Sequence, residues 1–139
     1  MNRADMPFLA GLAANEAKNM KKTSELIWQD EQHQELFRII DSLTTEDGRR
    51  ALDRLRTYVD HHFSLEEAYM AQLNYPGTEA HIQAHRNFEK TVKDFLADQT
   101  FYDENFAKTL SAFATDWLTS HIMGIDKDFE AFVLKSERK

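Results

Sequence analysis

An all-α fold, an antiparallel up-down-up-down four-helix bundle, follows from three observations. Apolar residues recur at steps of three and four through four long segments, the period of a helix with one buried face. Only four Gly and two Pro punctuate 139 residues, too few for the many tight turns of a β barrel or sandwich. The breaks between segments are short, which makes consecutive helices antiparallel neighbours. The length suits one domain with a real core. A hydrophobic share of 42%, with 12% aromatics, excludes intrinsic disorder.

Residues 1–22 fit this scheme least. Leu9, Leu12, Ala13, Ala17 and Met20 suggest a short amphipathic helix, with Lys18, Lys21 and Lys22 on its other side. This stretch reads as an arm or linker, so the chain divides into an arm at 1–22 and a bundle at 23–139. The apolar run Phe8–Ala14 is far shorter than the ~20 residues of a membrane span. Asp5 and Pro7 before it, and the single Arg3, argue against a signal peptide. A cytoplasmic location without membrane contact is the expectation.

The first bundle segment sets His33, Leu36, Ile40 and Leu43 on one seam. Thr23–Trp28 looks helical and runs directly into it. The polar stretch Thr44–Gly48 is a break rich in N-cap candidates. In the second segment Leu52, Leu55, Val59, His62, Glu66, Tyr69 and Leu73 form a continuous inward seam. Tyr75-Pro76-Gly77-Thr78 is a sharp stop, with Thr78 a candidate cap for the third segment. That segment places His81, His85, Phe88, Val92 and Phe95 in line. After a break at 98–103, with Asp103 as N-cap, the fourth gives Phe106, Leu110, Phe113, Trp117 and His121.

All four helices thus carry His on the buried face. A lone seam His is an ordinary core residue bonded to a neighbour. Five imidazoles and two carboxylates in one small bundle are not, because burying ionised groups without compensation costs several kcal/mol each. The economical solution is convergence on cations. His62-x-x-x-Glu66 and His81-x-x-x-His85 are i, i+4 pairs, one turn apart on one face. With no Cys, thiolate zinc sites, iron–sulfur clusters and a thiol nucleophile are excluded. Calcium and magnesium prefer oxygen donors. Seven donors exceed one tetrahedral zinc and suit a carboxylate-bridged pair of borderline metals such as iron or manganese. His61, beside His62, is turned about 100° off the seam and reads as a bystander. The net charge of −7 speaks against nucleic acid as a partner.

These residues also fall into motifs. Asp30-Glu31-Gln32-His33 resembles the D-x-Q-H of hemerythrins, and His62-Phe63-Ser64-Leu65-Glu66-Glu67 resembles their H-F-x-x-E-E. His81-x-x-x-His85 and His121-x-x-x-x-Asp126 complete the pattern in order. From about residue 28 to 133 the chain is similar to the hemerythrin and bacteriohemerythrin family. The resemblance implies reversible O2 binding, rather than enzymatic turnover, at a non-haem di-iron site. It implies that His81, His85 and His121 hold one six-coordinate iron. It further implies that His33 and His62 hold the second, which has an open position for O2, and that Glu66, Asp126 and an oxo or hydroxo group bridge the two irons. Candidate walls of the O2 pocket are Leu36, Phe37, Trp117, Leu118 and Ile122, with Ile122 tuning access.

One spacing is awkward. Residues five apart on a regular helix are rotated about 140° from a common face. His121 and Asp126 therefore require a π-bulge or widened turn near Met123-Gly124-Ile125. The N-terminal region also departs from the family, whose members carry an extended arm before D-x-Q-H. That departure resembles the C-terminal hemerythrin domain of a bacterial methyl-accepting chemotaxis receptor. It implies an oxygen- or redox-sensing input to an upstream signalling domain of the same receptor. A free O2 carrier or store, and a di-iron peroxide- or nitric-oxide-reducing enzyme, are the alternatives.

Overall fold

The computed structural model describes residues 22–45, 47–97 and 102–137. Of the expected arm at 1–22, residues 1–21 lie outside the described residues. Helices α1 (Ile27–Thr45), α2 (Gly48–Leu73), α3 (Thr78–Ala97) and α4 (Glu104–His121) come in that order. A π-helical turn, Ile122–Asp126, joins α4 to α5 (Lys127–Glu137). The backbone stays right-handed helical at both junctions, with φ −63° at Ile122 and −64° at Lys127. The three pieces therefore make one long fourth rod, and the architecture is the expected four-helix bundle. No helix among the described residues is long and apolar enough to cross a membrane.

Local chemistry sets the boundaries. Asp47 caps α2 through Arg50 N, and Asp103 caps α4 through Phe106 N, each satisfying an orphan donor of the first turn. At the end of α2, Asn74 adopts φ 55°, the left-handed conformation that terminates helices. Thr78 does not cap α3 as expected. It is the first helical residue, and its hydroxyl turns back to Tyr75 O at 2.6 Å. The helix anticipated at Thr23 begins only at Ile27. Ser24 and Thr23 engage local groups instead: Leu26 N donates to Ser24 Oγ and Thr23 N to Asp30 Oδ1. Short hydroxyl and carboxylate side chains compete with the helix in this way.

The apolar core falls into two clusters along the seams. Leu36, Phe37, Ile40, Leu43, Leu52, Leu55, Phe88 and Leu110 belong to one buried cluster. Phe95, Phe113 and Trp117 sit half-buried at its margins, and Tyr69 and Leu73 pack against the second cluster of Leu26, Met70, Phe129 and Val133, while Phe63 and Met70, one residue off the expected seam, are buried. A bundle helix buries a face wider than a single line of residues, which accounts for both.

The π-turn positions the site. Its i→i+5 hydrogen bonding fits one extra residue into the turn, which brings His121 and Asp126 to the same face. His121 Nε2 lies 3.0 Å from Asp126 Oδ1. Two glycines give opposite expectations. A Cβ at Gly124, inside the π-turn, meets nothing within 4 Å. A Cβ at Gly48 collides with the Tyr102 ring and with Leu43 O. Thermal unfolding should show Gly124→Ala stabilising by about 0.5–1 kcal/mol. Gly48→Ala should cost about 1–3 kcal/mol through overpacking.

Candidate metal centre

Each helix contributes side chains to one buried cluster. His33 comes from α1, His62 and Glu66 from α2, His81 and His85 from α3, His121 from the end of α4 and Asp126 from the π-turn. All seven residues are buried. His61 is exposed on the outside of α2, as expected for a bystander.

The donors sort into two groups whose atoms lie within 4.8 Å of one another. One contains Glu66, His81, His85, His121 and Asp126; the other contains His33, His62, Glu66 and Asp126. The carboxylates belong to both, one oxygen toward each. Glu66 Oε1 faces His81 and His85 at 3.4 and 3.1 Å, while Oε2 faces His62 at 3.5 Å. Asp126 Oδ1 faces His81 and His121 at 2.9 and 3.0 Å, while Oδ2 faces His33 at 3.0 Å. The groups offer five and four donors respectively.

Where the imidazole nitrogen is a bare lone pair, these close contacts set acceptor against acceptor and are not hydrogen bonds. The Nε2 atoms of His33, His81, His85 and His121, and Glu66 Oε1 and both Asp126 oxygens, have no hydrogen-bond partner. Buried polar atoms without partners are rare and costly. Here they converge on two shared points, the arrangement that bound cations satisfy.

The outer nitrogens of three imidazoles show how the donor atoms are aimed. His85 Nδ1 lies 2.8 Å from Glu67 Oε2. A carboxylate only accepts, so the proton sits on Nδ1 and the Nε2 lone pair points inward. His62 Nδ1 likewise donates to Gln32 Oε1 at 2.5 Å. The Thr23 hydroxyl donates to Asp30 Oδ1 at 2.8 Å and accepts from His33 Nδ1 at 2.9 Å. Gln29 Nε2 donates to Glu66 Oε2 at 2.8 Å, and Ser24 Oγ donates to Gln29 Oε1 at 2.7 Å. The non-ligand letters of the two motifs thus acquire physical roles. Asp30 anchors the hydroxyl that orients His33, Gln32 orients His62, and Glu67 orients His85.

Thr23, Gln29 and Phe63 have no assigned place in the sequence reading. Gln29 leaves a trace there, as a polar residue one turn before His33 on the same face. Thr23 leaves none, because it lies outside any helix. Phe63 stacks on His85 with ring centroids 3.8 Å apart, inside the H-F-x-x-E-E motif that names it. Of the five candidate walls, Leu36, Phe37, Leu118 and Ile122 are buried in the main apolar cluster. Trp117 is half-buried and stacks on His121 at 4.4 Å. The large groove of about 670 Å³ between α2 and α3, lined by Asp53, Arg56, Asp60, Glu89 and Lys93, involves none of these residues.

The electrostatics of the metal-free cluster are strongly coupled. Burial and the Asp126 carboxylate push Glu66 up, but His62, His81 and His85 outweigh them and hold it below the ordinary carboxylate range. Burial also opposes ionisation of Asp126, and the adjacent imidazoles of His121, His33 and His81 hold it well down. Burial lowers His62 to about 4 against the attraction of Glu66. At His81 burial acts the same way, but Asp126 and Glu66 prevail and raise it to about 9. At neutral pH His81 therefore carries a proton that a metal must displace. Metal loading at pH 7 should release about one proton from His81. Release should fade, and the rise of affinity with pH should level off, as pH passes about 9. Calorimetric titration in buffers of different ionisation enthalpy checks this.

Comparison with known proteins agrees with the geometry. The family model of the hemerythrin HHE cation binding domain matches residues 26–133. Hemerythrin of Siphonosoma cumanense is 36% identical over 97 residues, covering 70% of this chain and 75% of that protein. Myohemerythrin of Riftia pachyptila is 33% identical over 99 residues, with 70% and 76% covered. A hemerythrin-like protein of Naegleria gruberi is 31% identical over 102 residues, with 73% and 79% covered. With a family model matching most of the chain and relatives of 31–36% identity covered to three quarters or more of their length, the chain belongs to the hemerythrin family.

Proposed function

We propose that the chain binds O2 reversibly at a di-iron centre. His81, His85 and His121 hold one iron, His33 and His62 hold the other, and Glu66 and Asp126 span both. The observation that carries this reading is the division of each carboxylate's oxygens between the two donor groups. Five donors on one side and four on the other leave the His33–His62 centre the more open. When bound, the iron pair supplies the electrons and the open position that O2 needs.

The chain's own residues supply the rest. The outer hydrogen bonds fix three imidazoles with lone pairs inward, so little rearrangement accompanies loading. Leu36, Phe37, Leu118 and Ile122 keep the cluster in an apolar setting, and Trp117 with Phe63 covers the His85–His121 side. By excluding water, these residues would protect an iron pair held there from irreversible oxidation. This is the requirement of a binder, not of an enzyme with turnover.

We favour a sensing role within a longer receptor of the chemotaxis type, in the cytoplasm. Residues 23–26 are tied to the cluster through Thr23 to His33 and through Ser24 and Gln29 to Glu66. Glu25 N also donates to Glu130 Oε2 on α5 at 2.7 Å. These contacts would give a change of iron state a route to residues 23–26. A free carrier is the second reading, favoured by the match to most of the length of a hemerythrin and a myohemerythrin.

The test is optical. Iron-loaded protein, reduced without air and then exposed to O2, should show a visible charge-transfer band that disappears under argon. No O2-dependent band, or one that never reverses, would overturn the proposal. Lifetime of the O2 form separates the roles: a carrier resists autoxidation over many cycles. Ile122→Ala should accelerate autoxidation severalfold while costing about 2–5 kcal/mol of stability. An unchanged oxidation rate would remove Ile122 from the pocket wall.

A further inference from the structure

The three oriented imidazoles are not oriented alike. His33 leans on a hydroxyl and His62 on an amide carbonyl, both neutral. His85 alone of these three meets a carboxylate, Glu67. Glu67 belongs to neither donor group. It comes one residue after Glu66, so it leaves α2 about 100° further round and meets His85 from outside the cluster. The same oxygen, Glu67 Oε2, also accepts from the Arg86 guanidinium. Arg86 in turn holds Glu89 through its other terminal nitrogen at 2.9 Å. Side-chain exposure climbs along this line, from 0% at His85 to 21% at Glu67 and 45% at Arg86. A chain of charged contacts therefore runs from a donor imidazole to solvent.

We infer that Glu67 is a positioning residue that sets the donor strength of His85, and that Arg86 regulates Glu67 from the surface. The inference rests on the metal-binding reading above. A carboxylate on Nδ1–H draws that proton outward and enriches Nε2 in electron density. A richer donor favours the ferric over the ferrous state of the iron it faces. An iron held on the His85 side would thereby be the easier to oxidise, because only His85 among these three meets a carboxylate directly. Arg86 draws charge from the same carboxylate oxygen and so moderates the effect.

The decisive feature is a difference in sign. Glu67→Gln keeps an acceptor for Nδ1–H but removes the charge. Arg86→Gln removes the moderating cation and leaves the cluster untouched. Zn²⁺ titration of the metal-free chain and the reduction potential of the iron-loaded protein are the two readouts. Glu67→Gln should weaken Zn²⁺ binding about tenfold or more and raise the potential. Arg86→Gln should strengthen Zn²⁺ binding by a smaller factor, because the guanidinium is half-exposed, and lower the potential.

Opposite shifts support the inference; shifts of the same sign, or none in either variant, overturn it. Should Glu67→Gln fail to fold, Arg86→Gln alone decides: an unchanged or raised potential overturns the inference. Wild-type protein that takes up fewer than two Zn²⁺ per chain removes the metal-binding reading itself. Full uptake with unresponsive variants removes only the role of Glu67 and Arg86.

Discussion

Two carboxylates enclosed by five imidazoles in a buried core are the constraint on which the rest of the structure depends. A helix bundle of this size has ample apolar residues to close its own core. This one instead gives its middle layer to groups that are expensive to bury. The mutual contacts among them do not satisfy them as hydrogen bonds. Stability and function are therefore joined at one place, because the cation that satisfies the donors is also the reactive group. Metal binding of this kind adds directly to folding free energy.

Several local features exist to serve that layer. The π-turn inserts one residue so that Asp126 reaches a face that His121 already occupies. Such turns trade helix regularity for side-chain direction. The irregular segment before α1 forgoes helical structure so that Thr23 and Ser24 can reach the backs of His33 and Gln29. Glu130, one turn beyond Asp126, ties that segment to α5. The same contacts that aim the donors also hold the N-terminal segment against the bundle.

The fold and the donor residues are legible in the sequence for a plain reason. Polar residues at apolar seam positions are anomalies, and His62, Glu66, His81, His85 and His121 each stand out against helical periodicity. Even the π-turn is legible, since a five-residue step between His121 and Asp126 contradicts a regular helix. The illegible parts lie where periodicity carries no information. Thr23 acts through a hydrogen bond across a non-helical stretch, and Thr23–Leu26 is not helical because side-chain bonding there outcompetes the backbone. Thr78 is no cap because Gly77 O already accepts from His81 N as the first helical bond. Asp30, Gln32 and Glu67 are visible as motif letters, but only the structure shows what each one holds.

Completion of this core by one pair of metal ions underlies both its stability and its chemistry. Its most direct test is titration of the metal-free protein with ferrous ion under anaerobic conditions, measuring stoichiometry and thermal unfolding together. The protein should take up two ions per chain, with a marked, simultaneous rise in unfolding temperature. Uptake of one ion or none, or full uptake with no gain in stability, would contradict it.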